Sequence, residues 1–258
     1  MLFDTHMHCE FSCDSEMTLA QAIVQAEKLG IGMIVTEHWD YDYPTNPEEF
    51  LFDIDAYFKN FEALRSDRVL RGIEIGMQRT TAARDEAIAA SHAFDYVLAS
   101  IHCIGQRDLY EPTCYEGRTR QDIVEEFLDD SIYCLEHHSN FDAFAHIDYI
   151  CRYWPYEINQ LCIADNQNKY DKLFKLLIDG NKPIEINTRR LDSEEALKAL
   201  VPLYQRYKAL GGRYCTLGSD AHYLEHIGRR LDKALSIAKL ADLQPVYFKE
   251  RKMHLVEF

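Results

Sequence analysis

Two histidines near the start of the chain, His6 and His8, are separated by one residue at the end of a short apolar run. If this run is a β-strand, residues i and i+2 point to one face, so both imidazoles can reach the same point. Later apolar runs end at the same kinds of side chain: His38, Glu74, His102, His146, Asp220 and His222. Imidazole and carboxylate groups are common metal ligands, so the pattern predicts a metal site.

The type and number of these donors favour more than one ion. A structural zinc site closes with four ligands, often thiolates, whereas this chain offers about eight nitrogen and oxygen donors. Imidazole suits Zn, Fe and Mn, and carboxylate favours harder cations. Two ions roughly 3.5–4 Å apart can generate a hydroxide nucleophile and stabilise an in-line displacement at phosphorus. We therefore expect two or three divalent metal ions (Zn, Mn or Fe) and a hydrolytic reaction.

The elements that must position the donors are short apolar strands, as expected for strands buried on both faces. Seven are predicted: Leu2–His8, Ile31–His38, Val69–Glu74, Tyr96–His102, Ala143–His146, Pro183–Asn187 and Tyr214–Asp220. Helical patterns separate them; one begins at Thr18 and stops at Gly30, and another opens with Asp192 and Glu195. This alternation predicts one α/β domain, a closed or nearly closed parallel barrel. In such barrels the active site lies at the C-terminal ends of the strands.

Composition limits the possible partners. The chain has 258 residues, with 28 Lys and Arg against 43 Asp and Glu, and a formal net charge of −15. This balance argues against nonspecific nucleic-acid binding, which needs basic patches. We see no leader peptide and no apolar run approaching ~20 residues, so we expect a cytoplasmic protein that does not associate with a membrane. The eight cysteines form no C-x-x-C pair and are expected to be free thiols.

Several short motifs together resemble one known family, the PHP superfamily (polymerase and histidinol phosphatase). The motifs are Asp4-Thr5-His6-Met7-His8, Phe11-Ser12-x-Asp14, Thr36-Glu37-His38, Glu74, Ser100-Ile101-His102, Ala145-His146-Ile147-Asp148, Glu185-Ile186-Asn187-Thr188 and Gly218-Ser219-Asp220-Ala221-His222. The resemblance runs from residue 2 to about residue 228 and is greatest to the stand-alone L-histidinol-phosphate phosphatases.

The resemblance implies a distorted (β/α)7 TIM-like barrel over a single PHP-type domain, residues 1–258, with a trinuclear metal site. It implies three ligand groups: His6, His8, Glu74 and Asp220 for the first ion; His102 and His146, with Glu74 bridging, for the second; Asp14, His38 and His222 for the third. It also implies hydrolysis of L-histidinol phosphate, in which Glu74, Asp220 and His222 take part in catalysis. Asp220 or His222 could protonate the leaving alkoxide.

Residues that bind the substrate are expected in the loops after the strands. A phosphomonoester needs cationic contacts, and arginine offers bidentate geometry. Arg152, Arg189 and Arg190 lie in suitable loops, and a long polar loop from Gly105 to Arg118 contains Glu116. We expect these arginines to be the candidates for contact with phosphate, although the sequence does not determine which of them makes it, and Glu116 to contact the substrate's amine. The predicted substrate is thus a small anionic phosphomonoester; the sequence does not determine the oligomeric state.

The sequence leaves several other functions open. A PHP phosphoesterase could act on a sugar phosphate, a nucleotide or protein phosphotyrosine, or as an exonuclease, although the acidic balance disfavours the last. A catalytically silent binding domain is a different class of function, but every expected ligand position carries a ligand-type side chain. A metal-dependent amidohydrolase would be expected to show a Lys at a strand end, which we do not find.

Overall fold

The computed structural model describes residues 1–256, which fold around one mainly parallel sheet. The strands are β1 (Phe3–Asp4), β2 (Gly32–Trp39), β3 (Val69–Gly76), β4 (Tyr96–Ser100), β5 (Cys103–Ile104), β6 (Arg107–Asp108), β7 (Ala143–Phe144), β8 (Ile184–Asn187), β9 (Tyr214–Gly218), β10 (Gln244–Lys249) and β11 (Lys252–Leu255). The α-helices are α1 (Leu19–Leu29), α2 (Ile54–Phe61), α3 (Ala82–Ser91), α4 (Arg120–His137), α5 (Gln167–Asp179), α6 (Glu194–Ala209) and α7 (Leu231–Leu240). Each of the seven predicted strands is present; some of their ends coincide with the prediction and the others differ by one to four residues.

The seven strands are parallel neighbours in the order β1-β2-β3-β4-β7-β8-β9. The chain beyond β1 then meets the chain beyond β9. The Thr5 amide donates to the Leu217 carbonyl at 2.9 Å, and the Asp220 amide donates to the His6 carbonyl at 2.8 Å. A parallel bridge joins Met7 to Ala221. These contacts bring the first and seventh strands together, which agrees with the predicted distorted (β/α)7 TIM-like barrel in a single α/β domain.

The helix boundaries follow from local capping. The Thr18 side chain accepts from the Gln21 amide, the Gln21 side chain accepts from the Thr18 amide, and Gly30 ends α1 with φ 69°. The predicted start of α6 at Asp192 is wrong by one residue. Ser193 is the cap, because its hydroxyl accepts from the Ala196 amide at 3.2 Å.

The barrel interior is apolar at one end and polar at the other. Because side chains alternate across a strand, every second residue of each strand faces inward. The lower interior is filled by Phe3, Ile34, Leu70, Tyr96, Leu98, Ala143 and Ala145, joined by Val246 and Phe248. Further along the same strands the inward positions carry Glu74, Ser100 and Glu185. The polar groups therefore collect at the C-terminal ends of the strands.

A C-terminal hairpin, formed by β10 and β11, was not anticipated from the sequence. β10 pairs with β9 in parallel at Gln244 and Tyr214, and β11 returns antiparallel to it. The Tyr247 ring stacks on Phe3 at 3.9 Å. Val246 and Phe248 join the apolar interior cluster, so the hairpin covers the end of the barrel that lies away from the polar groups.

Two further observations bear on the expectations from composition. No helix within residues 1–256 is both long and apolar enough to cross a membrane. The eight cysteines are free thiols, as predicted, and six of them are buried.

Candidate metal centre

Four donor atoms at the open end of the barrel surround one point. The Nε2 atoms of His6 and His8 lie 3.1 Å apart. Glu74 Oε2 is 3.2 Å from the first and 3.4 Å from the second, and Asp220 Oδ1 is 3.7 and 3.5 Å from them. Tetrahedral ligands with zinc bonds of about 2.0–2.1 Å are separated by roughly 3.3–3.4 Å. Five of the distances among these four donors, from 3.1 to 3.7 Å, therefore lie near the spacing expected of ligands that share one ion.

The Glu74 carboxylate faces a second group of donors with its other oxygen. Glu74 Oε1 lies 2.9 Å from His146 Nε2 and 3.4 Å from His102 Nε2. Its Oε2 atom faces His6 and His8. One fully buried carboxylate thus separates two sets of imidazoles, as a bridging ligand between two ions would.

A third group lies nearer to solvent. Asp14 Oδ2 is 3.0 Å from His222 Nε2 and 3.6 Å from His38 Nε2. The His8 ring lies between this group and the first, with ring centroids 3.9 Å from His38 and 4.3 Å from His222. The structure therefore brings together all nine side chains that the sequence predicted as metal ligands.

Hydrogen bonding alone leaves part of this cluster unsatisfied. Glu74 Oε2 and His38 Nδ1 are buried and lie 2.9 Å apart, yet neither forms a hydrogen bond within residues 1–256. Buried polar atoms are costly unless they are paired, whereas lone pairs converging on a shared cation are stabilised. Overlapping trios of donors lie within 4.8 Å of one another: His6–His8–Glu74, His38–Glu74–His102, His6–His146–Asp220 and His8–His38–His222. The donor chemistry fits divalent metal ions.

Three of the imidazoles are oriented through the nitrogen that faces away from the centre. His6 Nδ1 lies 2.8 Å from Glu185 Oε1, His8 Nδ1 lies 3.2 Å from Ser12 Oγ, and His102 Nδ1 lies 2.8 Å from Asp40 Oδ1. Such outer contacts fix the ring orientation and tautomer of a metal-binding histidine and raise its basicity. The Nε2 atoms are thereby directed inward.

Sequence reasoning missed these orienting residues, although a signal existed for two of them. Glu185 is two residues before Asn187 on β8 and hence on the same inward face. Asp40 lies two residues after His38, at the end of β2. Ser12 is on a loop, and only its tertiary contacts with Glu37 and His8 reveal its role.

The charges of the cluster support its role as a ligand set. Burial would raise the pKa of Glu74, but the imidazoles of His6, His102 and His38 hold that pKa well below its usual value. Burial would lower the pKa of His6, yet Glu74 and Glu185 raise it well above normal, so a metal ion would have to displace a proton from this imidazole. Glu74 is consequently ionised, the state in which a carboxylate binds cations.

The three predicted phosphate-binding arginines occupy different positions. Arg152 is buried, with Nη1 2.6 Å from Asp220 Oδ2 and Nη2 donating to Asn187 Oδ1 at 3.1 Å. Arg189 donates to the Asp220 carbonyl at 3.0 Å and lines the cavity above the donors. Arg190 is engaged elsewhere, because it donates to Asp148 at 3.0 Å and also to the Asn159 carbonyl. Only Arg189 of the three lies on the cavity wall.

That cavity has a volume of about 590 Å³ and opens above the donors His38, His102, Asp14 and His222. The loop from Gly105 to Arg118 contributes to its wall, but not through the predicted residue. Glu116 is exposed and is not part of the lining. Instead, the short β5–β6 hairpin shapes the loop so that Asp108, Tyr110 and Glu111 line the cavity.

Comparison with known proteins agrees with this geometry. Residues 4–189 match the family model described as the PHP domain. The chain is 43% identical to a probable histidinol-phosphatase of Clostridium acetobutylicum, over 98% of this chain and 99% of that protein. It is 29% identical to the histidinol-phosphatase of Lactococcus lactis, over 92% of this chain and 90% of that protein.

A solved structure shows the same architecture. The Lactococcus lactis histidinol phosphate phosphatase, crystallised with zinc, L-histidinol and phosphate, superimposes with a TM-score of 0.92. It is 28% identical in sequence, and the match covers 98% of each chain. Together with the family match over most of its length, these similarities show that the chain belongs to the PHP domain family.

Proposed function

We propose that this protein is a metal-dependent phosphomonoesterase that hydrolyses L-histidinol phosphate to L-histidinol and phosphate. The observation that carries the proposal is the convergence of nine mostly buried imidazole and carboxylate donors at the open end of the barrel, four of which, Asp14, His38, His102 and His222, line an open cavity. Full-length similarity to proteins named histidinol-phosphatase supports the choice of substrate. We propose that residues 1–258 form one PHP-type phosphoesterase domain.

We propose two or three ions, of Zn, Mn or Fe, held by the groups described above. His6, His8, Glu74 and Asp220 hold the first, and His102 and His146 hold the second together with Glu74. Asp14, His38 and His222 hold the third. Asp14 is the most exposed of these side chains, at 41%, which makes this site the one most open to exchange. When bound, the ions supply a water-derived nucleophile and neutralise charge on the phosphoryl oxygens.

The surrounding side chains position the phosphoryl group and the leaving group. Arg189 faces the cavity and is available to an anion, whereas Arg152 acts mainly by holding the Asp220 carboxylate. Burial would raise the pKa of Asp220, but Arg152 and His6 hold it well below normal, so this residue suits cation binding. His222 lines the cavity with its Nε2 atom 3.0 Å from Asp14 Oδ2; when only the first two sites are filled, this imidazole would be available to protonate the leaving alkoxide.

A substrate panel tests the proposal. Protein loaded with Zn or Mn should release phosphate from L-histidinol phosphate far faster than from a sugar phosphate, a nucleotide or phosphotyrosine. Comparable rates across the panel would contradict the assignment of L-histidinol phosphate as the substrate, but they would still agree with a general phosphatase activity. His6→Ala should lower both bound metal and turnover, whereas His254→Ala, on the exposed face of β11, should change neither. Unchanged metal content in His6→Ala would contradict the first site.

A further inference from the structure

One buried carboxylate in the cavity wall has no partner of opposite charge. Asp108 is 4% exposed, yet no Lys, Arg or His nitrogen of residues 1–256 lies within ion-pair distance of it. Its Oδ1 accepts from the Tyr110 amide at 2.7 Å. Withdrawing a carboxylate from water is costly unless a cation compensates it. Asp108 is therefore a candidate to pair with a cationic group of a bound ligand.

Asp108 is held close to the metal donors by backbone contacts. In the β5–β6 hairpin it pairs directly with Cys103, the residue after His102. The Leu109 amide donates to the His102 carbonyl at 3.1 Å. The Cα atoms of opposed residues in an antiparallel pair lie about 4.5–5.5 Å apart, so the Asp108 backbone is held beside the segment that carries His102. Asp108 and His102 also line the same cavity.

The neighbouring wall is suited to a cationic, aromatic ligand. Tyr43, Tyr149 and Tyr153 line the same cavity as Asp108, and Tyr43 is close enough to Asp108 for the carboxylate to affect the pKa of its hydroxyl. Burial, followed by neighbouring groups that include Asp108, raises the pKa of Tyr43, so its hydroxyl stays protonated and can donate. Arg189 is the one Lys or Arg among the described residues of the lining. The cavity therefore offers a cation for phosphate and, on this wall, a carboxylate among aromatic rings.

We propose that Asp108 binds the ammonium group of the substrate and so restricts the enzyme to phosphomonoesters of amino alcohols. The inference rests on the proposed function and assigns the amine contact, expected from the sequence at Glu116, to a different residue of the same loop. L-Histidinol phosphate carries its amine on the carbon next to the phosphorylated CH2. A carboxylate adjacent to the metal donors is placed to pair with that amine while the phosphate faces the ions.

This arrangement discriminates against substrates without an amine. With the ammonium bound, Asp108 gains a charge-assisted hydrogen bond. With a deamino analogue it stays buried without a cationic partner, and sites built around a polar contact reject ligands that lack the matching group. The loss of one such bond corresponds to about 10- to 100-fold in affinity.

The test compares two substrates that differ only in the amine: L-histidinol phosphate and 3-(imidazol-4-yl)propyl phosphate. kcat and KM are measured with both for the metal-loaded wild type, for Asp108→Asn and for a matched control, Asp129→Asn, on the exposed face of α4. Metal content and thermal midpoint are recorded for each protein, so that a folding defect is visible. Asp108→Glu, which retains the charge, tests rescue.

We expect the ratio of the two kcat/KM values to favour L-histidinol phosphate in the wild type and to fall at least about tenfold in Asp108→Asn, mainly through KM. Asp129→Asn should keep the wild-type ratio, and Asp108→Glu should recover part of it. An equal ratio in Asp108→Asn and wild type would overturn the Asp108 assignment and leave the phosphatase function standing. Absence of wild-type turnover on both substrates would overturn the proposed function, and with it this inference.

Discussion

At the scale of single residues, Glu185 organises the first group of donors without belonging to it. Its Oε1 atom lies 2.8 Å from His6 Nδ1, and its Oε2 atom accepts from the amide of His146 at 2.9 Å and from Asn187 Nδ2 at 3.0 Å. The carboxylate thus positions one imidazole through its ring and a second through the backbone. A residue of this kind controls the affinity for the ion while remaining outside the coordination sphere.

Glu185→Gln should therefore weaken metal binding by about 10- to 100-fold, because outer partners of metal-binding histidines have effects of this size. Zinc titration against a competing chelator measures the change. Glu195→Gln, an exposed residue on α6, is the matched control and should retain wild-type affinity. Equal zinc affinities in Glu185→Gln and wild type would show that the carboxylate has no orienting effect.

Eight of the nine donors could be predicted from the sequence because they lie at the ends of apolar runs, and strand ends in a barrel meet at one edge. Asp14 lies in a loop and is predicted only from the resemblance to the PHP superfamily. The position of an arginine after a strand does not show whether its side chain faces the cavity or pairs with a carboxylate elsewhere. Arg152 and Arg190 are close to the site in sequence, but their partners, Asp220 and Asp148, are set by the packing of loops. Only the positions of those loops show that Arg189 alone faces the cavity.

At the scale of elements, the β10–β11 hairpin stabilises the barrel from the end opposite the metal donors. Phe248 stacks on Tyr96 with ring centroids 5.4 Å apart, and both are buried. At the turn, the Arg251 amide donates to the Asp95 carbonyl at 2.9 Å, and Arg251 Nε donates to Asp142 at 2.5 Å. The hairpin therefore contributes to stability and not to the chemistry of the site.

Phe248→Ala should lower the free energy of unfolding by about 3–5 kcal/mol, the usual cost of truncating a buried Phe. The number of ions bound per folded chain should not change, since the site lies at the other end of the barrel. Chemical denaturation and metal analysis measure the two quantities. Leu255→Ala, on the exposed part of β11, should cost no more than about 0.5 kcal/mol. If folded Phe248→Ala lost its metal ions, the hairpin's contribution to stability would not be independent of the metal site.

The seven barrel strands were predictable because each is a short apolar run between helical patterns. The hairpin was not, because β10 begins beside Pro245 and alternates only weakly, with three buried and three half-buried residues. Its stability comes from contacts with Phe3 and Tyr96, which are far away in sequence. Such tertiary contacts override weak local patterns.

At the scale of the whole molecule, metal ions would connect distant parts of the chain. The proposed ligands come from the beginning, middle and end of the sequence, between His6 and His222. Bound ions therefore join the ends of several strands, and they bind the folded state in preference to the unfolded one. The charge of the ions also explains how a chain with a net charge of −15 can accept an anionic substrate.

Removal of metal should therefore lower the thermal midpoint. A ligand at about 100 times its Kd stabilises by ~2.7 kcal/mol, and each kcal/mol shifts the midpoint by about 2–4 °C in a chain of this size. We expect a fall of roughly 5–10 °C on chelation and recovery when Zn or Mn is restored. In His6→Ala, chelation should lower the thermal midpoint by less than in the wild type, because this variant binds less metal. A midpoint that chelation leaves unchanged would contradict the structural contribution of the ions.

One titration can show whether the convergent donors form a multinuclear centre that hydrolyses L-histidinol phosphate. Metal-free protein is titrated with Zn or Mn while bound metal and phosphate release from L-histidinol phosphate are recorded together. We expect no turnover without metal, and turnover that reaches its maximum at two to three bound ions per chain. Full turnover by the chelated protein, or a maximum at one bound ion with no further binding, would contradict a multinuclear catalytic centre.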